Sequence, residues 1–167
     1  TSSGLSFNYT INLRGKHALE RLGLWEKIEA HTMRLTGRII HSNNSSITQD
    51  YSPDASFFLY SIPRNKLVRL LFDEMKLLKN INIQLNKEII HVNYYDDICC
   101  LTYKDQINKL HHIDNTNFII VSDGVNSKIR NLFTNKLKWV TETFPWDYKE
   151  LKLKSNEVDN YQLDTNY

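Results

Sequence analysis

Asn117-Phe118-Ile119-Ile120-Val121-Ser122-Asp123-Gly124-Val125-Asn126-Ser127-Lys128-Ile129-Arg130 is the stretch on which the reading of this chain turns. The apolar run Phe118 to Val121 stops at Ser122-Asp123-Gly124, and Val125, Ile129 and Leu132 then fall at helical spacing. The pattern predicts a strand, a tight turn and a helix, hence an α/β chain in which a buried strand delivers a carboxylate and a glycine to a helix start. Such a turn suits a sugar or a phosphate. A carboxylate accepts hydrogen bonds from hydroxyls, a glycine lets a ligand approach the backbone, and a helix N-terminus offers free N–H groups. Asp-Gly by itself is commonly no more than a turn, so the motif alone leaves both readings open.

Outward from that stretch, short strands dominate. Upstream, Leu19, Leu22, Leu24, Trp25 and Ile28 recur near helical spacing after Arg14-Gly15, which predicts one amphipathic helix ending near His31. Arg38 to His41 and Ile47 to Tyr51 read as strands joined by the turn chemistry of Asn43-Asn44-Ser45-Ser46, forming a β-ribbon. Phe57 to Ile62 is a further apolar strand. Pro63 suits the first turn of a helix, where its missing N–H costs nothing, and Leu67, Leu70, Leu71, Met75 and Leu78 continue that helix on one face. Ile81, Ile83 and Leu85 alternate with Asn82 and Gln84, after which Glu88 to Tyr95, Ile98 to Tyr103 and Lys109 to Ile113 are rich in β-formers and predict a meander. Trp139 and Trp146 read as core aromatics, and Leu151 and Leu153, alternating with Lys152 and Lys154, as one more strand. No linker or repeat interrupts the chain, so residues 1–167 read as a single partial domain, α+β in content, with two to three helices.

Composition narrows the function classes. The 167 residues are 41% hydrophobic and 24% charged, outside the disordered class. Lys and Arg total 21 against 19 Asp and Glu and alternate with them, which argues against nucleic acid as a partner. Cys99 and Cys100 are adjacent and would face opposite sides of a strand, which suits neither a disulfide nor a metal pair and points to a reducing compartment. His111-His112 adds no metal-ligand spacing to them. No apolar run reaches the roughly 18 to 20 residues that span a bilayer. Thr1 to Thr10 lacks the basic and apolar regions of a leader. The start at Thr1 and the stop at Tyr167 predict a chain cut at both ends.

Several stretches together resemble one family. Asp123-Gly124-Val-Asn-Ser-x-x-Arg130 is similar to the Gly-Ala-Asp-Gly-x-x-Ser-x-x-Arg segment of the FAD-dependent group A aromatic hydroxylases. Thr10-Ile-Asn-Leu13 with Arg14-Gly-Lys-His-Ala-Leu19, Gly37-Arg38-Ile-Ile-His41, Tyr60-Ser-Ile-Pro-Arg64-Asn-Lys-Leu67 and Tyr148-Lys-Glu-Leu151 resemble, in the same order, segments of the kynurenine 3-monooxygenase family.

That resemblance implies part of an FAD/NAD(P)-binding flavoprotein hydroxylase fold, FAD as cofactor with NADPH as reductant, and hydroxylation of L-kynurenine to 3-hydroxykynurenine in tryptophan catabolism. It implies that Arg38 and Tyr51 grip the substrate carboxylate, and that Arg64, Ile89, Asp123, Gly124 and Lys128 lie toward the flavin. Guanidinium and phenol suit a carboxylate chemically. From spacing alone, an arginine placed like Arg38 is more often a solvated edge charge and a tyrosine placed like Tyr51 a part-buried aromatic. The resemblance further implies a cytoplasmic or mitochondrial outer-membrane setting. Departures are specific. The family's Ala-Leu-Ser-x is absent between Leu13 and Arg14, a lysine stands at 128 where a small hydroxyl residue is usual, and Gly4, Gly15, Gly23, Gly37 and Gly124 form no Gly-x-Gly-x-x-Gly. The expectation is a fragment that is inactive alone. The alternative is a truncated or degenerate non-catalytic domain, at most binding an aromatic carboxylate.

Overall fold

The computed structural model describes residues 7–43, 45–54, 56–95, 98–132 and 139–146. Leu151, Leu153 and the Tyr148-Lys-Glu-Leu151 motif lie outside them. The chain divides into two compact units, the first taking the chain up to Ile81 and the second Asn82–Asp147.

The first unit is built on a strand buried on both faces. β1 (Asn8–Ile11) and β2 (Met33–Leu35) pair antiparallel with the two edges of β5 (Leu59–Pro63), giving the order β1-β5-β2. Tyr60, Ser61 and Ile62 are consecutive and all buried, so neither side of β5 faces water. Helices α1 (Leu13–Arg21) and α2 (Trp25–Glu29) follow β1, and Ile11, Trp25, Ile28, Tyr60 and Ile62 form the core. Trp25 and Tyr60 meet edge to face at 4.6 Å, an orientation that sets the positive ring edge against the partner's π-face.

The helix predicted as one piece is two. Asn12 caps α1 by accepting from the Gly15 N–H at 3.0 Å. At the other end Gly23 takes φ +67°, the Gly23 N–H donates to the Glu20 carbonyl and the Leu24 N–H to the Leu19 carbonyl, both at 2.9 Å. This double closure terminates a helix and turns the chain. It swings Trp25 and Ile28 inward, whereas Leu22 stays 68% exposed.

After β2 the chain runs into the ribbon β3 (Gly37–Ser42) and β4 (Ser45–Asp50), paired from Gly37 with Asp50 to Ser42 with Ser45. The turn is therefore tighter than its composition predicts, with Ser45 and Ser46 in strand. Pro63 closes β5 as the N-cap of α3 (Arg64–Met75), one position earlier than expected, and the Arg64 N–H is satisfied by the Phe7 carbonyl. Leu67, Leu70 and Leu71 pack on the core as predicted, but α3 ends at Met75 and Leu78 lies beyond it, half exposed.

In the second unit β6 (Glu88–Tyr95), β7 (Ile98–Lys104) and β8 (Leu110–Thr116) form the predicted meander, and α4 (Lys128–Leu132) packs against β6. The β7–β8 turn is held by Asp105, whose carboxylate accepts from the Ile107 and Lys109 N–H groups and pairs with His111 at 2.9 Å. The His111 contact, with those N–H groups, holds the Asp105 carboxyl below its usual range. Cys99 and Cys100 lie on β7 as free thiols.

Three expectations fail here. Ile81 to Leu85 forms no strand, since no neighbour among the described residues pairs with it. Phe118 to Val121 is likewise not a strand. Alternation and β-propensity supply a face but not a hydrogen-bonding partner, and Phe118 and Ile120 are 77% and 79% exposed. Trp139 and Trp146 are exposed rather than core, in a segment without helix or strand.

Ile62→Ala removes a fully buried side chain from the centre of the first unit and is predicted to cost about 2–5 kcal/mol of stability. Val68→Ala, at an exposed position of α3, is predicted to cost below about 1 kcal/mol. Urea unfolding followed by far-ultraviolet circular dichroism measures both.

Candidate functional site

Strand pairing brings Arg38 and Tyr51 to the same end of the β3–β4 ribbon. Arg38 stands opposite Gln49, and the Arg38 Nε–H donates to the Gln49 Oε1 at 2.8 Å. The Tyr51 N–H donates to the Thr36 carbonyl at 2.9 Å, which carries the ribbon's register one residue past Asp50. Because side chains alternate along a strand, Arg38, Gln49 and Tyr51 share one face. The same face carries the cross-strand pair Ile40 and Ile47, both exposed. Tyr51 is half-buried, its ring edge to face with Phe57 at 6.5 Å. One face therefore joins a guanidinium and a phenol to an apolar floor.

Arg64 belongs to the same unit but does not join this cluster by any observed contact. Its guanidinium lies 5.6 Å from the Phe7 ring and 5.7 Å from the Tyr9 ring, cation–π distances that keep it over aromatic faces at the start of α3.

Ile89, Asp123, Gly124 and Lys128 belong to the second unit. Gly124 takes φ +89° with open space where a Cβ would stand, so backbone conformation rather than crowding requires glycine. Asp123 is turned toward its own helix. The Ser127 hydroxyl hydrogen-bonds the Asp123 carboxylate, and the Ile129 N–H donates to it at 3.4 Å; chiefly the Ser127 contact holds the Asp123 carboxyl below its usual range. The Ser127 Oγ in turn accepts from the Arg130 N–H at 2.9 Å, as an N-cap does. The free N–H groups expected at this helix start are thus engaged by Asp123 and Ser127, and α4 is only five residues long.

This turn borders a cavity of about 590 Å³. Val92, Cys99, Phe118, Val121 and Trp139 give it an apolar lining, and Asp123, Ser127 and Arg130 supply polar groups. Ile89 is half-buried on β6, opposite Tyr103, beside a bulge at Ile89/His91. Lys128 projects to β6, where its ammonium pairs with the Glu88 carboxylate. That contact raises the Lys128 pKa and lowers that of Glu88. Both side chains are largely exposed, so the pair is a surface contact screened by water.

The sequence pattern assigns no role to Gln49 or Glu88, and it places Ser127 in the Asp-Gly motif without its capping role. A serine directly before a helical pattern is a cap signal, so Ser127 was available from the sequence. Gln49 and Glu88 become meaningful only through register and packing. Among the described residues, no group of three or more His, Cys, Asp or Glu could hold a metal ion, and no helix is long and apolar enough to cross a membrane.

No family model matches the chain. Curated relatives similar to it are the kynurenine 3-monooxygenases of Anopheles gambiae, 23% identical over 98% of this chain and 34% of the relative, and of Drosophila melanogaster, 27% identical over 98% and 35%. That of Myxococcus xanthus is 24% identical over 96% of this chain and 35% of the relative. The chain thus spans about a third of the length of the curated relatives it matches. Among solved structures, the p-nitrophenol 4-monooxygenase of Pseudomonas putida is similar with a TM-score of 0.67 at 15% identity, over 79% of this chain and 34% of that one. The chain therefore carries part of the fold of that monooxygenase, in agreement with the mixed α/β reading.

The Asp123 carboxyl is predicted to titrate below its ordinary value and to move up toward it in Ser127→Ala, as read from carboxyl carbon shifts in an NMR pH titration. A carboxylate with a depressed folded pKa adds stability above its unfolded pKa and loses it as pH falls through the folded value. Ser127→Ala should accordingly make stability less pH-dependent in the acid range below the ordinary aspartate pKa. Gly124→Ala is predicted to destabilise the second unit by about 1–2 kcal/mol through its positive φ.

Proposed function

We propose that this chain is part of an FAD- and NADPH-dependent aromatic hydroxylase of the kynurenine 3-monooxygenase type, and that it holds the carboxylate of L-kynurenine. The carrying observation is the ribbon face, where a guanidinium and a phenol stand beside two exposed isoleucines. Arg38 would take the carboxylate through charge-assisted hydrogen bonds, and the Tyr51 hydroxyl would add a third donor. Ile40 and Ile47 would offer an apolar surface to an aryl ring. The work of these residues is positioning, because a ring fixed at one end presents one carbon to an oxidant. The similarity to kynurenine 3-monooxygenases over nearly the whole chain supports this substrate class.

FAD, reduced by NADPH, would supply the oxidative chemistry. The second unit fits such a ligand in part. The Asp123 carboxylate has lone pairs beyond its bonds to Ser127 and Ile129, and Gly124 leaves space beside the backbone, so the turn can receive a hydroxyl-bearing segment. A pyrophosphate cradle of the Gly-x-Gly-x-x-Gly kind is not encoded in these 167 residues. In this reading Ile89 would pack against the flavin, while Lys128, held by Glu88, would contribute least. The whole is a small-molecule enzyme segment that is inactive alone.

The chain is predicted to bind L-kynurenine in isothermal titration calorimetry, with affinity falling roughly 10- to 100-fold in Arg38→Ala, the range for a charge-assisted hydrogen bond. Asp123→Ala should leave that affinity unchanged. Supplied with FAD, NADPH and L-kynurenine, the chain should yield no 3-hydroxykynurenine. Equal binding by wild type and Arg38→Ala would remove the ribbon from the substrate site.

A further inference from the structure

We propose that Gln49 is a positioning residue for Arg38, selecting how the guanidinium meets a carboxylate; this rests on the ribbon being the carboxylate site. An arginine has five N–H donors, one on Nε and four on the two terminal nitrogens, and a carboxylate can be gripped in two ways. The side-on grip uses Nε with one terminal nitrogen, and the end-on grip uses both terminal nitrogens. Gln49 takes the Nε–H at 2.8 Å across the ribbon, so the side-on grip is closed and the end-on grip is left. The contact is cross-strand, between directly paired residues, and the ladder from Gly37 with Asp50 to Ser42 with Ser45 fixes its geometry.

The partner's neutrality matters as much as its place. An amide oxygen orients the guanidinium and leaves its full positive charge for the ligand, whereas a carboxylate at 49 would satisfy Arg38 itself. Lys128 illustrates the second case, its ammonium being paired with Glu88. Freed of Gln49, Arg38 on this exposed face would lose the orientation and meet the ligand only after ordering a long side chain, a cost set against binding.

The test uses the whole chain with L-kynurenine and with kynuramine, the same molecule lacking the carboxylate. Gln49→Met keeps the bulk and deletes the acceptor. It is predicted to weaken L-kynurenine about 5- to 10-fold, the loss for one pre-organising contact, to leave kynuramine unchanged, and to shift and broaden the Arg38 Nε–H signal in a ¹⁵N spectrum. Gln49→Glu should keep that signal sharp yet weaken L-kynurenine more than Gln49→Met does. A folding defect would lower affinity for both ligands, and preserved backbone spectra check the fold directly. Wild-type affinity in both Gln49 variants, with binding lost in Arg38→Ala, overturns the positioning role and leaves the carboxylate site standing. No loss in Arg38→Ala, or no binding by the wild-type chain, overturns both.

Discussion

Burial of β5 on both faces is the constraint from which the first unit follows. Three consecutive residues, Tyr60, Ser61 and Ile62, are excluded from water, so this strand must have neighbours on both edges and packing above and below. β1 and β2 satisfy the edges, and Trp25 against Tyr60 closes part of the packing. The ribbon inherits its place from this arrangement, since β2 ends at Leu35 and β3 begins at Gly37. Arg64 inherits its place too, as the residue that follows the buried strand.

How much of this could be read from the sequence depended on whether a signal was local. The ribbon, the meander and α3 rest on alternation, turn residues and helical spacing within a few residues, and all three are present. The break at Gly23 is encoded in a glycine two residues after Arg21, the basic residue of the last turn, yet the apolar spacing from Leu19 to Ile28 runs straight across it. Phe118 to Val121 shows the opposite difficulty. Its side chains declare strand propensity, but a strand is a property of two segments, and no second one stands beside it among the described residues. The two tryptophans follow the same logic, because an aromatic is a core residue only when something covers it.

Electrostatics separates the proposed site residues more sharply than their residue types do. Arg38 is held by a neutral amide and keeps its charge, Arg64 is shared between two aromatic rings, and Lys128 is paired with a carboxylate. Three cations that look alike in a sequence thus have different amounts of charge to offer a ligand. Asp123 is a fourth variant, an acid whose first duty is to hold the helix beside it. Gln49 and Ser127, neither of them charged, decide how two of these four behave.

The connection between Ser42 and Ser45 works as a ruler. Pairing continues to these two residues, so only two positions separate the strands, and every side chain beyond them is assigned to a face by that length. Because strands alternate with a period of two, inserting or deleting a single residue there would carry Gln49 and Tyr51 to the side away from Arg38 without changing any of their identities. Related chains that keep this face should therefore vary the length of this turn in steps of two, or absorb an odd change in a bulge.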